Sequence, residues 1–117
     1  MGGDDEMSIC IKQLREIMGT KVYLEFEQYR QEMLRQPPDE IFNLCYQTDC
    51  IINIYEHLLI ISETATEQEL AMVINYPDFI NYVYSEWIKI DYEGDLFEFV
   101  KNFVRDETEK LYWKEVA

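Results

Sequence analysis

The side chains in this sequence that are best suited to catalysis or metal binding are those of a single histidine and three cysteines. His57 has no second histidine to work with, and Cys45 and Cys50 are five residues apart, which places them on different sides of a helix. Cys10 is far from both in sequence, and metal sites need several nitrogen or sulfur ligands together. We therefore expect a protein that is not an enzyme and that uses no metal and no other cofactor.

Carboxylates are the abundant chemical groups. The 117 residues contain 24 Asp and Glu against 10 Lys and Arg, which gives a net charge of -14. Nucleic-acid binding depends on Lys and Arg that neutralise phosphates, and anionic membranes attract basic segments. The composition therefore argues against direct contact with nucleic acid or membrane. It favours the basic surface of another protein as partner.

The negative charge is concentrated in the middle of the chain. Residues 37–88 contain no Lys or Arg and carry a net charge of -9. Their nine acids are Asp39, Glu40, Asp49, Glu56, Glu63, Glu67, Glu69, Asp78 and Glu86. Two interpretations stay open at this point: a solvated surface that keeps the protein dissolved, or a binding surface for a cationic partner.

Helical spacing would suit these acids to imitating a nucleic acid. Carboxylates three or four residues apart on a helix lie about 5–6 Å apart, near the spacing of successive phosphates. Glu63 and Glu67 are four residues apart and fit this spacing. Asp49 and Glu56 are seven residues apart, which is about two helical turns. Aromatic residues are interleaved with the acids between Tyr76 and Trp87, and such residues often dominate interfaces. The predicted partner-binding residues are Asp49, Glu56, Glu63, Glu67, Glu69, Asp78, Phe79, Tyr82 and Glu86, although a core role stays open for Phe79 and Tyr82.

The apolar periodicity that must position these groups is helical throughout. It predicts one all-α domain over residues 1–117, a compact bundle of five or six helices, with residues 1–6 a disordered or tag-derived N-terminus. Gly19 is expected to end the first helix, and Pro37-Pro38 to end the second. The predicted helices are 5–18, 20–35, 38–61, 66–75, 77–90 and 95–114. Strand content around residues 84–92, which are rich in aromatic and β-branched types, is the alternative left open.

Two helix starts have recognisable caps. Thr66 and Glu69 have the spacing of a capping box, and Asp95 with Glu98 is a weaker version of it. The odd number of cysteines favours free thiols and a cytoplasmic location. A monomer and a homodimer are both compatible with a bundle of this size, although two copies at -14 would repel each other.

Three segments of the sequence resemble a known group of bacterial domains, and this resemblance suggests what kind of partner the acidic surface would bind. The run Gln28–Ile41, which contains Pro37-Pro38, and the later Tyr76–Phe79 and Glu86-Trp87 resemble a group of small acidic bacterial domains. These occur mainly in Firmicutes and in their phages and conjugative elements, and the similarity covers roughly residues 21–90. The resemblance implies no catalytic residues. It implies a mobile-element context, in which small acidic proteins often inhibit host defence nucleases such as CRISPR effectors and restriction enzymes.

The leading hypothesis is thus an acidic, non-enzymatic inhibitor that blocks a basic nucleic-acid-binding cleft by charge mimicry. The alternative is a structural or scaffolding domain that binds its partner through an aromatic surface at residues 76–87.

Overall fold

The chain folds into helices in a computed structural model that describes residues 2–90 and 94–116, with side chains described over 10–90 and 94–112. Six helices lie in these ranges: α1 (Gly2–Leu34), α2 (Pro38–Asn43), α3 (Cys45–Ser62), α4 (Glu67–Asn75), α5 (Phe79–Trp87) and α6 (Leu96–Val116). The described residues contain no strand, so the predicted all-α bundle is confirmed. Of the possible strand over 84–92, the described part is the end of α5 and a turn, and 91–92 lie outside the described residues.

Helix α1 continues through Gly19, and the prediction that this glycine ends a helix was wrong. A glycine inside a helix is destabilising by only about 1 kcal/mol relative to alanine. Met18 and Val22, on either side of it, are fully buried in the core. Burial of such side chains stabilises by about 1.5–3 kcal/mol each, which outweighs the local preference.

The helix predicted over 38–61 is divided at Leu44 into α2 and α3. Leu44 has φ -100° and ψ 13°, outside ordinary helical values. Its amide still donates to the carbonyl of Glu40 at 3.0 Å, and its carbonyl accepts from the amide of Thr48 at 2.9 Å. Helical hydrogen bonding therefore continues on both sides of the interruption. Because neither Gly nor Pro marks this position, composition gave no signal for it.

The core lies around α3, which packs against α1, α2, α5 and α6, while α4 packs against α1 and α6. The fully buried large side chains are Met18, Val22, Ile51, Ile54, Leu58, Leu70, Val73, Phe79, Val83, Val100 and Val104. They come from five of the helices. Helix α2 contributes no buried residue, so it covers the bundle without entering its core.

The first predicted cap is seen in full, and of the second the Asp95 bond is seen, to the Phe97 amide and not to that of Glu98. The Thr66 hydroxyl accepts from the Glu69 amide at 3.1 Å, and the Glu69 carboxylate accepts from the Thr66 amide at 2.9 Å, which completes a capping box at α4. Asp95 accepts from the amide of Phe97 at 3.0 Å at the start of α6.

Helix α5 begins later than predicted, and a side chain of another helix caps its N-terminus. Pro77 lies in the turn before it, and Asp78 at the N-cap has φ 55° and ψ 48°, the left-handed region. Its carboxylate accepts from the Asn81 side chain at 2.8 Å instead of capping the helix. The Glu25 carboxylate of α1 accepts from the first helical amide, that of Phe79, at 3.1 Å.

The molecule measures 59 × 28 × 24 Å. Its long dimension follows α1, whose 33 residues span about 50 Å. No described helix is long and apolar enough to cross a lipid bilayer. Residues 2–6 lie in α1, which differs from the expected disordered N-terminus, and a tag-derived origin of residues 1–6 stays a prediction.

Candidate interaction surface

The groups considered for catalysis lie apart in the bundle. The His57 ring is half-buried and meets the edge of the Phe97 ring at 5.1 Å between centroids; its Nδ1 has no hydrogen-bond partner among the described residues. Cys50 is buried in the core, whereas Cys45 is exposed. Within the described residues, no three His, Cys, Asp or Glu side chains converge to hold a metal ion.

The acids of residues 37–88 are mostly on the surface. Seven of the nine are exposed: Asp39, Glu40, Asp49, Glu56, Glu63, Glu67 and Asp78. The other two, Glu69 and Glu86, have local partners, as does Asp78, whose carboxylate accepts from the Asn81 side chain. Glu69 completes the capping box of α4, and Glu86 forms an ion pair with Lys89 at 3.2 Å. The surface charge is therefore carried by the seven exposed acids.

The spacing proposed for Glu63 and Glu67 is corrected by the structure. Glu63 caps the end of α3 and Glu67 begins α4, with a turn between them, so the separation expected within one helix does not apply. Asp49, Glu56 and Glu63 follow one another at seven-residue intervals along α3. Seven residues are close to two turns and give an axial step of about 10.5 Å. These three acids therefore share one side of α3 in a wider row than predicted.

The aromatic segment 76–87 is directed largely inward. Phe79 is 0% exposed, and its ring lies 5.8 Å from that of Tyr76 and 6.0 Å from that of Phe103. A side chain with no accessible surface cannot contact a partner. Its predicted binding role is therefore corrected to a core role.

Tyr82 is half-buried and belongs to the same aromatic cluster. Its ring stacks on Tyr76 at 4.5 Å and meets Phe103 at 5.1 Å. Burial raises the pKa of Tyr82 to about 12, helped by the adjacent Glu107 carboxylate, which repels the phenolate and accepts the phenol's hydrogen bond. The phenol is thus neutral at physiological pH and adds nothing to the negative surface.

A second exposed set of apolar side chains, which the sequence interpretation missed, extends from the end of α2 along the outer side of α3. Phe42 is 78% exposed, Tyr46 61% and Ile60 55%. They alternate with the acids of α3 at helical spacing, and we call the set the outer stripe: Phe42, Tyr46, Asp49, Glu56, Ile60 and Glu63. The same period that revealed the apolar inner face could have revealed this second face.

Tyr46 is exposed but held in place. Its hydroxyl accepts a hydrogen bond from the indole Nε1 of Trp87 at 3.3 Å. The Trp87 ring packs against Phe99 of α6 at 5.2 Å, which ties the contact to the bundle. A pre-oriented ring loses less conformational entropy when a partner binds. Among the surface aromatics, Tyr46 is therefore suited to form a contact.

Comparison of the chain with models of protein families, with curated proteins and with solved structures finds no match.

Proposed function

We propose that this protein is a non-enzymatic inhibitor that binds the basic nucleic-acid-binding cleft of another protein. The observation that carries the proposal is the exposure of seven acids in a 52-residue segment without Lys or Arg. Carboxylates without local cations are free to meet the Lys and Arg that would otherwise hold phosphates. Such complementarity raises the association rate and selects the partner.

Three of these carboxylates, those of Asp49, Glu56 and Glu63, form a row along one side of α3. The helix is anchored by fully buried residues on its inner side, among them Ile54 and Leu58. The acids are therefore presented on a rigid support, at steps of about 10.5 Å, roughly twice the 5–6 Å first expected for phosphate mimicry.

The target class we favour is a host defence nuclease, a CRISPR effector or a restriction enzyme, in the cytoplasm. This part of the proposal rests on the resemblance of residues 21–90 to domains of phages and conjugative elements. The alternative of a scaffolding domain that binds through residues 76–87 has less support, because Phe79 is fully buried and Tyr82 packs against Phe103.

The test is competition against a panel of purified restriction endonucleases and RNA-guided nucleases. We expect this protein to displace labelled nucleic acid from at least one of them, measured by fluorescence anisotropy. The apparent Kd should rise steeply between about 50 and 500 mM NaCl, since exposed charges are screened over a few ångströms at high salt. Displacement without salt dependence would reject charge mimicry, and no displacement from any member would reject the proposed function.

Charge reversal at the row provides the matched test. The triple variant Asp49→Lys, Glu56→Lys and Glu63→Lys should weaken binding at least about 100-fold, roughly fivefold per reversed contact. The control reverses Glu16, Asp106 and Glu109, three exposed acids on α1 and α6, and so changes the net charge equally. Equal losses in both variants would indicate an effect of net charge alone.

A further inference from the structure

We propose that the outer stripe docks into a groove built for single-stranded nucleic acid, with Phe42 and Tyr46 in the place of bases and the neighbouring acids in the place of phosphates. This inference rests on the proposed function and specifies its partner. It starts from Phe42, which is 78% exposed on a helix that contributes nothing to the core. It is the most exposed of the large apolar side chains that the structure describes.

Phe42 and Tyr46 are four residues apart and both exposed, one near the end of α2 and the other near the start of α3. Asp39 precedes the two rings and Asp49 follows them, both exposed. The stripe therefore presents two aromatic rings flanked by carboxylates, with no cation in residues 37–88.

Proteins that bind single strands offer the complementary surface. They combine a basic groove that follows the backbone with aromatic side chains on which unpaired bases stack. A duplex hides its bases, so a cleft for duplex DNA offers phosphate contacts but little stacking surface along the backbone. Acids alone would suit either cleft, whereas exposed rings between acids suit the single-strand groove.

A second copy of this chain is the competing occupant of the stripe. Two copies would bring together surfaces of the same sign, since each chain carries a net charge of -14. Like charges brought together at an interface oppose association. Charge complementarity therefore favours a basic partner over self-association.

The experiment uses the panel member that this protein binds most tightly, together with two labelled probes, a single-stranded oligothymidylate and a duplex. We expect displacement of the single strand. The double variant Phe42→Ala/Tyr46→Ala should weaken it at least about tenfold, as loss of a hot spot does. The control is Leu111→Ala/Tyr112→Ala, two similarly exposed residues on α6, and should change affinity less than about twofold. Circular dichroism verifies that both variants are folded.

Three results would overturn the inference. The first is displacement of the duplex alone. The second is unchanged affinity of Phe42→Ala/Tyr46→Ala while the lysine triple variant is impaired, which would leave the proposed function standing. The third is a homodimer in sedimentation velocity that the Phe42→Ala/Tyr46→Ala variant dissociates. If no panel member binds at all, the proposed function fails first and this inference fails with it.

Discussion

The Glu25 carboxylate joins α1 to the beginning of α5 at the scale of single residues. One oxygen accepts from the Phe79 amide and the other from the Ile80 amide, each at 3.1 Å. Lys21 pairs with the same carboxylate at 2.7 Å and donates to the carbonyl of Tyr76. A helix N-terminus favours a negative charge and has free amides to satisfy. Glu25 therefore has a structural role in stabilising the fold, unlike the exposed acids of residues 37–88.

We expect Glu25→Gln to lower the free energy of unfolding by about 1–3 kcal/mol, because it removes charge-assisted hydrogen bonds in a site where the glutamate side chain is only 11% exposed. Urea denaturation followed by circular dichroism measures the change. Glu27→Gln is the control, since its ion pair with Arg30 is at the surface and such pairs contribute about 0–1 kcal/mol. Equal losses in the two variants would contradict the role assigned to Glu25.

At the scale of elements, α1 shows how packing determines where a helix ends. Gly19 is a common stop signal, yet the helix continues because Met18 and Val22 anchor both sides of it in the core. The true end follows Leu34, before Pro37-Pro38. A proline removes a hydrogen-bond donor and restricts its neighbour, a local effect that packing seldom overrides.

Gly19→Ala should therefore stabilise the protein by about 0.5–1 kcal/mol. A Cβ at this position would lie 3.9 Å from Leu59 Cδ2, an ordinary contact, and the backbone is helical. Thermal and urea denaturation measure the gain, with Thr20→Ala at the adjacent exposed position as control for general helix propensity. A loss of stability would mean that α1 is interrupted at this glycine.

Helices α2 and α5 show the limits of periodicity. In α5, Ile80 and Val83 are buried as the pattern predicts, but Phe79 is buried too, because α6 brings Phe103 against a second face. In α2 no residue is buried, although Ile41 fits the apolar stripe. The period of a sequence says which residues share a face. It does not say how many faces the neighbouring elements cover.

At the scale of the whole molecule, the excess of carboxylates opposes folding by self-repulsion. Ion pairs between described residues relieve little of it, since four of the five lie at exposed sites and involve near neighbours in sequence. Most of the negative charge on the described side chains is therefore not neutralised by ion pairs.

We expect the melting temperature to rise by several degrees as NaCl increases from about 10 mM to 1 M, over which the Debye length falls from about 30 to 3 Å. The triple variant Asp49→Asn, Glu56→Gln and Glu63→Gln should be more stable at low salt and show a smaller increase. Scanning calorimetry of both proteins at each salt concentration measures the difference. A melting temperature independent of salt would show that self-repulsion is negligible.

Features that depend on local chemistry could be predicted from the order of the residues. Helical periods, the Pro37-Pro38 break, the capping box of Thr66 and Glu69 and the cation-free segment all act through neighbours in the chain, so all were visible beforehand. The packed fold was needed to establish that Phe79 is inside, that Phe42 and Tyr46 are outside and that Glu25 caps a helix more than fifty residues away. Burial and long-range capping depend on which elements meet in space, and residues distant in sequence set those contacts.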